Sequence, residues 1–136
     1  MATGDIGAVI DTLEFDSVYA YQPYLFEVSS GIVGCAYKGP DGDGWLCTFA
    51  VDAVGQIGAA PIDTLEFDGS DCTGHPKVLK ITGTTKYIIM YPTTGIVEKI
   101  CTVDIDDSGN IGAAIIDSHT YDATRGAPGD IIYISG

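Results

Sequence analysis

Ile57-Gly58-Ala59-Ala60-Pro61-Ile62-Asp63-Thr64-Leu65-Glu66-Phe67-Asp68 is a phrase this chain uses three times. An earlier copy reads Ile6-Gly7-Ala8-Val9-Ile10-Asp11-Thr12-Leu13-Glu14-Phe15-Asp16, and a later, diverged one reads Ile111-Gly112-Ala113-Ala114-Ile115-Ile116-Asp117-Ser118-His119-Thr120-Tyr121-Asp122. Copies beginning at residues 6, 57 and 111 set a period of about 50 residues, which belongs to repeat architectures built from one supersecondary unit per period. The phrase therefore decides the fold.

Outward from it, the local patterns are those of short strands. Leu13 and Phe15 fall on one face while Thr12, Glu14 and Asp16 fall on the other, so residues 6–16 read as a strand, D. After a loop and Pro23, residues 24–29 read as strand A and residues 32–37 as strand B. The turn-rich run Lys38-Gly39-Pro40-Asp41-Gly42-Asp43-Gly44 leads into strand C at residues 45–51. The second unit repeats the plan with A at 78–81, B at 87–91 and C at 97–103, and Tyr91 matches Tyr37. The third has its D strand and then A at 131–134. No segment has helical periodicity of useful length, so an all-β chain with almost no helix is expected. Residues 1–136 form one repeat domain, with units at 6–56, 57–110 and a partial one at 111–136.

Four short strands per unit of about 50 residues is the arithmetic of a β-propeller blade. Along its whole length the chain resembles β-propeller repeat proteins. It lacks the Gly-His…Trp-Asp signature and the double glycine of the kelch type, so the resemblance names no family within them. It implies an array of four-stranded antiparallel blades, about two and a half per chain against the four to eight of a closed ring. It implies no activity, since one fold hosts many functions. The competing architecture is an open β-solenoid or sandwich. Strands B and C are absent between Gly136 and Gly4, and Met1 stands where other units carry Asp. Open strand edges promote association. A homo-oligomer that completes the ring is therefore expected, as is its variant, a natural or engineered propeller fragment with no function beyond assembly.

Composition narrows the partners. The chain of 136 residues carries 19 acidic and 6 basic residues, for a net charge of −13. Such a surface repels nucleic-acid phosphates and anionic membranes. No apolar run approaches the roughly 18 residues of a membrane span, and the N-terminus has no signal-peptide pattern. Two readings fit these features: a protein that stays inside the cell, or a mature or excised piece of an extracellular or cell-surface protein. Cys35, Cys47, Cys72 and Cys101 contain no C-x-x-C pair, which removes the zinc-ribbon and thioredoxin readings. Cys47 and Cys101 recur at one repeat position, as small core residues do. Cys35 and Cys47 are equidistant from the turn at Asp41 and face each other across a hairpin, so a disulfide there stays open.

Candidate chemistry is sparse. Asp104, Asp106 and Ser108 match the early positions of an EF-hand-type loop and make a candidate Ca²⁺ site, but the twelfth position is Ile115, without the bidentate acid. A plain hairpin turn explains the same residues. Asp11, Asp63 and Asp117 recur, as do Asp16, Asp68 and Asp122, and such positions fix turns or accept backbone N–H groups. Acids spread evenly over the units do not make the single asymmetric carboxylate pair of a glycosidase. His75 and His119 have no ligand-spaced partners. No enzyme is expected. Trp45, Tyr19, Tyr21 and Tyr24 lie in or beside loops and are the candidate ligand-binding residues, as in a lectin-type propeller with glycan partners; packing between blades is the alternative use of the same rings.

Overall fold

The computed structural model describes residues 7–69, 71–95 and 97–123. Among the described residues eight strands fall into two antiparallel sheets of four. The first holds β1 (Tyr21–Ser29), β2 (Ile32–Lys38), β3 (Gly44–Ala50) and β4 (Asp63–Asp68) in that order. The second holds β5 (Lys77–Lys80), β6 (Lys86–Thr93), β7 (Val97–Asp104) and β8 (Asp117–Asp122), also in sequence order. Neither sheet closes on itself. Among the described residues the one helical element is a 3-10 turn, Pro40–Gly42.

The two sheets repeat each other in register. Cys35 lies opposite Cys47, and Ile89 lies opposite Cys101. Cys47 in turn faces Thr64, and Cys101 faces Ser118. Register shifts fall at Gly44/Trp45 in one sheet and Glu98/Lys99 in the other, at matching positions. The turns follow from local chemistry. Gly31, between β1 and β2, has φ +79° and sits close to the Val51 carbonyl, a conformation open to glycine. In the turn after β3, Asp52 Oδ1 accepts the N–H groups of Val54 and Gln56. In the turn after β7, Asp106 Oδ1 accepts those of Ser108 and Asn110.

The expected strand at residues 6–16 does not form: residues 7–16 lie outside every strand. The same six-residue pattern is a strand in β4 and β8 because β3 and β7 supply a ladder, and the first copy has no such neighbour among the described residues. Strand D is also shorter than its phrase. It begins at Asp63 and Asp117, while Ile57 and Ile111 make single bridges to Val51 and Ile105. Strand A starts three residues early, at Tyr21, with a shift in register between Tyr21 and Tyr24 and a positive φ at Gln22. The expected strand at 131–134 lies outside the described residues.

Both faces of the first sheet are used. One face, with Val28, Ala36, Leu46 and Phe67, shares a continuous core with Val78, Tyr87, Ile89, Tyr91, Cys101 and Val103 of the second sheet. The other, with Cys35, Tyr37, Cys47 and Phe49, is partly covered by Leu13 and Phe15 of the strandless first phrase. The cover is incomplete: Leu25 is 62% exposed, whereas Val78, its counterpart in the second sheet, is 5% exposed beneath the first.

Candidate functional site

The repeated phrase makes the contact between layers. Asp63 Oδ1 accepts the N–H of Thr64, and its Oδ2 accepts the N–H of Ile111 in the turn after β7, at 2.8 Å each. One carboxylate thus ends its own strand and ties it to the next sheet. Two residues on, Leu65 packs on the shared core. Phe67 then meets Tyr91 edge-on, with ring centroids 5.0 Å apart. Asp68 Oδ2 accepts the Tyr91 hydroxyl at 3.0 Å and pairs with Lys99 at 3.2 Å. Burial, then the neighbouring Cys101 and Asp68, hold the Tyr91 phenol protonated well above its ordinary range. Backbone acceptors complete the seam: Thr48 Oγ1 donates to the Gly109 carbonyl at 2.6 Å, Ser29 Oγ to the Asp107 carbonyl at 2.7 Å, and Lys80 Nζ to the Val28 carbonyl at 2.7 Å.

The first phrase makes the same contact one layer earlier. Asp11 Oδ1 accepts the N–H of Thr12, and Asp11 Oδ2 accepts the N–H of Ile57 at 2.8 Å. Phe15 meets Tyr37 edge-on at 5.3 Å, and Asp16 neighbours the Tyr37 hydroxyl. Burial, then Cys47 and Asp16, raise the Tyr37 pKa as in Tyr91. Ile10 lies against Gly55 as Ile62 lies against Gly109. The aspartates at these positions were legible as backbone acceptors. That their second oxygen reaches the next unit was not, although the recurring pairs Cys47-Thr48 and Cys101-Thr102 were the sequence signal for the seam.

The candidate aromatic residues are not brought into one site. Tyr19 precedes β1 and stacks on Tyr21 with centroids 6.0 Å apart, and both are close to half exposed. Tyr19 borders an open cleft of about 550 Å³ whose wall includes Lys38, Asp41 and Thr94. Trp45 lies on the other side of Pro40, in a second cleft of about 360 Å³ with Phe15 and Tyr37. Its indole fills the space over Gly39, and its Nε1 is buried with no hydrogen-bond partner among the described residues. Tyr24 lies within β1, packs on the shared core and carries Lys77 Nζ 5.1 Å above its ring.

The candidate cation residues form a turn. Asp104, at the end of β7, pairs with Lys86, whose hydrogen bond lowers the Asp104 pKa. Asp106 Oδ2 accepts from Asn110 Nδ2 at 2.8 Å, and that bond lowers the pKa of Asp106. Ser108 offers its backbone N–H to the same aspartate. Among the described residues no three His, Cys, Asp or Glu side chains gather where a metal could be held. His75 Nε2 lies 2.7 Å from Gln22 Nε2, and His119 stands exposed on β8.

All four cysteines are buried free thiols. Cys35 and Cys47 do face each other across the β2–β3 hairpin. Their contact and burial keep the Cys47 thiol protonated far above the ordinary range. Burial pushes Cys72 up to about 11 and Cys101 up to about 12. Glu98 is 1% exposed, and burial raises its pKa; Oε2 takes the Tyr121 hydroxyl at 3.3 Å. Among the described residues no helix is long and apolar enough to cross a membrane.

No protein-family model, curated protein or solved structure matches this chain, so the geometry of the repeated contact stands as the guide to its role.

Proposed function

We propose that this chain is a non-enzymatic structural and binding module of the β-propeller type, which stacks four-stranded sheets through one repeated contact and self-assembles into a homo-oligomer. The observation that carries this reading is the contact itself, made twice with the same residues: Asp11, Phe15 and Asp16 on the first sheet, and Asp63, Phe67 and Asp68 on the second. A contact that repeats along a stack is the property of an array, in which each layer needs a neighbour to bury its apolar face. The acids that a catalytic reading would use are spent on backbone N–H groups and a tyrosine hydroxyl in each layer. The test is the native mass by light scattering on a sizing column over a wide range of concentration. A discrete multiple of 14.2 kDa supports the assembly. A monomer at every concentration overturns it.

A second reading, carbohydrate binding, is favoured by the exposed Tyr19, which stacks on Tyr21 and lines an open cleft beside Asp41. Flat aromatic faces next to carboxylate acceptors suit the apolar face and hydroxyls of a sugar ring. Binding on a glycan array that is lost in Tyr19→Ala supports it, and an array with no bound sugar removes it.

A further inference from the structure

We propose that β8 of one copy docks on the first sheet of a second copy, and that residues 11–16 of the second copy are an in-chain cap that this docking displaces. The inference rests on the self-assembly proposed above and gives it a surface.

The seam between layers has a donor half and a receptor half. The donor half is an Ile, an Asp, an aromatic residue and a final Asp from a D phrase, with a Thr from strand C. The receptor half is a Tyr on strand B, the N–H of an Ile after strand C, and a Gly in the same turn. On the described residues the chain has three donor halves: Ile10 to Asp16, Ile62 to Asp68, and Ile116 to Asp122. It has two receptor halves, one at Tyr37, Gly55 and Ile57 and one at Tyr91, Gly109 and Ile111. Ile116, Asp117 and Tyr121 of the third donor half meet no receptor half among the described residues. Ile116 is 54% exposed and Tyr121 48%, against 4% for Phe67. Asp117 Oδ1 accepts the N–H of Ser118, as in the other two copies, and no described residue takes its Oδ2.

A second copy supplies what is missing. Its first sheet has the receptor half, and its own cover there is weak. Residues 11–16 belong to no ladder and leave Leu25 exposed. β8, by contrast, is held in its sheet by β7 and would bring Thr102, the counterpart of Thr48, along with it. In the docked arrangement Asp117 Oδ2 takes the N–H of Ile57, Ile116 covers Gly55, and Tyr121 packs edge-on against Tyr37. The contact is head-to-tail, so it closes into a ring or runs on as an open chain. Each sheet pair added contributes two layers. The copies each carry a charge of −13, so association strengthens as salt screens their repulsion.

The experiment is sedimentation velocity on the full chain, with Asp117→Ala and Tyr121→Ala to cut the donor half and Phe15→Ala to loosen the cap. Expected is a dissociation constant about tenfold higher for Asp117→Ala and for Tyr121→Ala, and about tenfold lower for Phe15→Ala, each equal to about 1.4 kcal/mol. Asp117→Ala and Tyr121→Ala alter exposed side chains and preserve folding, so a failure of Phe15→Ala to fold leaves the test intact. Association of the parent chain that both donor variants leave unchanged overturns this docking while self-assembly stands. A parent chain and a Phe15→Ala variant that both remain monomeric overturn the two together.

Discussion

One position, occupied by Phe15, Phe67 and Tyr121 in successive copies, gives a quantitative test of the layered packing. Phe67 is 4% exposed, meets Tyr91 edge-on at 5.0 Å and occupies the space that a side chain at Gly44 would need. Removing a buried phenyl ring costs about 3–5 kcal/mol, of which an edge-to-face partner accounts for about 1. We expect about 4 kcal/mol for Phe67→Ala. Phe15 keeps the ring contact, at 5.3 Å, but is only half-buried under a segment without a ladder, so Phe15→Ala should cost about 2 kcal/mol. Tyr121 is 48% exposed, and its hydroxyl reaches Glu98 at 3.3 Å; Tyr121→Ala should cost about 0.5 kcal/mol in the monomer. The assay is urea unfolding at a protein concentration low enough to hold the chain monomeric. With a slope of about 1.5 kcal/mol per molar urea, the three midpoints should fall by about 2.7, 1.3 and 0.3 M. Equal losses at all three positions would refute the reasoning, because they would mean that the three layers are equally covered. A loss under 1 kcal/mol for Phe67→Ala would refute the packing of the two sheets.

The remaining expectations concern single groups. Thr48→Val removes the buried bond to the Gly109 carbonyl and should cost about 1–2 kcal/mol, while Thr102→Val at the matching site should be nearly neutral in a monomer; thermal melts of both compare them. Tyr37 and Tyr91 have folded-state pKa values raised above the ordinary 10.0, so their contribution is fully present below pH 10 and is lost as pH rises beyond it, which a series of urea midpoints from pH 8 to 11.5 will show. Glu98 is raised above 4.5 by burial, so its contribution is full below pH 4.5 and declines above it; Glu98→Gln should stabilise the chain at pH 7 and lose that advantage below pH 4.5. The four buried thiols should react with a disulfide reagent at pH 8 only as fast as the protein opens, and fast labelling of Cys35 or Cys47 in the native chain would contradict their burial.

The strand order was legible because the D phrase fixes its own period and the A, B and C patterns fall between its copies. Tyr37 and Tyr91 could be matched on sequence, and they prove to be equivalent on their sheets. What the phrase concealed is that a strand is a relation and not a property of a segment. Residues 11–16 and residues 63–68 are identical in sequence, yet only the second set has a partner in β3. Alternation predicts which side chains share a face; it carries no information on whether a ladder exists. The aromatic candidates were scattered for a related reason. Loop position in the sequence does not say that Tyr24 lies within β1 under Lys77, or that the Pro40 turn separates Tyr19 from Trp45.

The unequal drift of the repeat follows from where its contacts lie. Strand A changes in length, from nine residues in β1 to four in β5, while Phe26 of β1 still meets the Tyr87 ring of the second sheet. The D phrase is under two constraints at once. Its backbone must pair with strand C of its own sheet, and its Asp and aromatic side chains must meet the next sheet. A change at Asp63 breaks the N–H cap of Thr64 and the tie to Ile111 together, so both constraints fall on one carboxylate. In the third copy the outward constraint is relaxed: Leu65 and Phe67 are matched by His119 and Tyr121, which are more polar, while Asp117 and Asp122 keep their places. If the third donor half never met a receptor, Asp117 would have only the Ser118 cap to serve, a task Ser or Asn performs as well. Its retention, with an exposed Ile116 beside it, is what the proposed docking predicts.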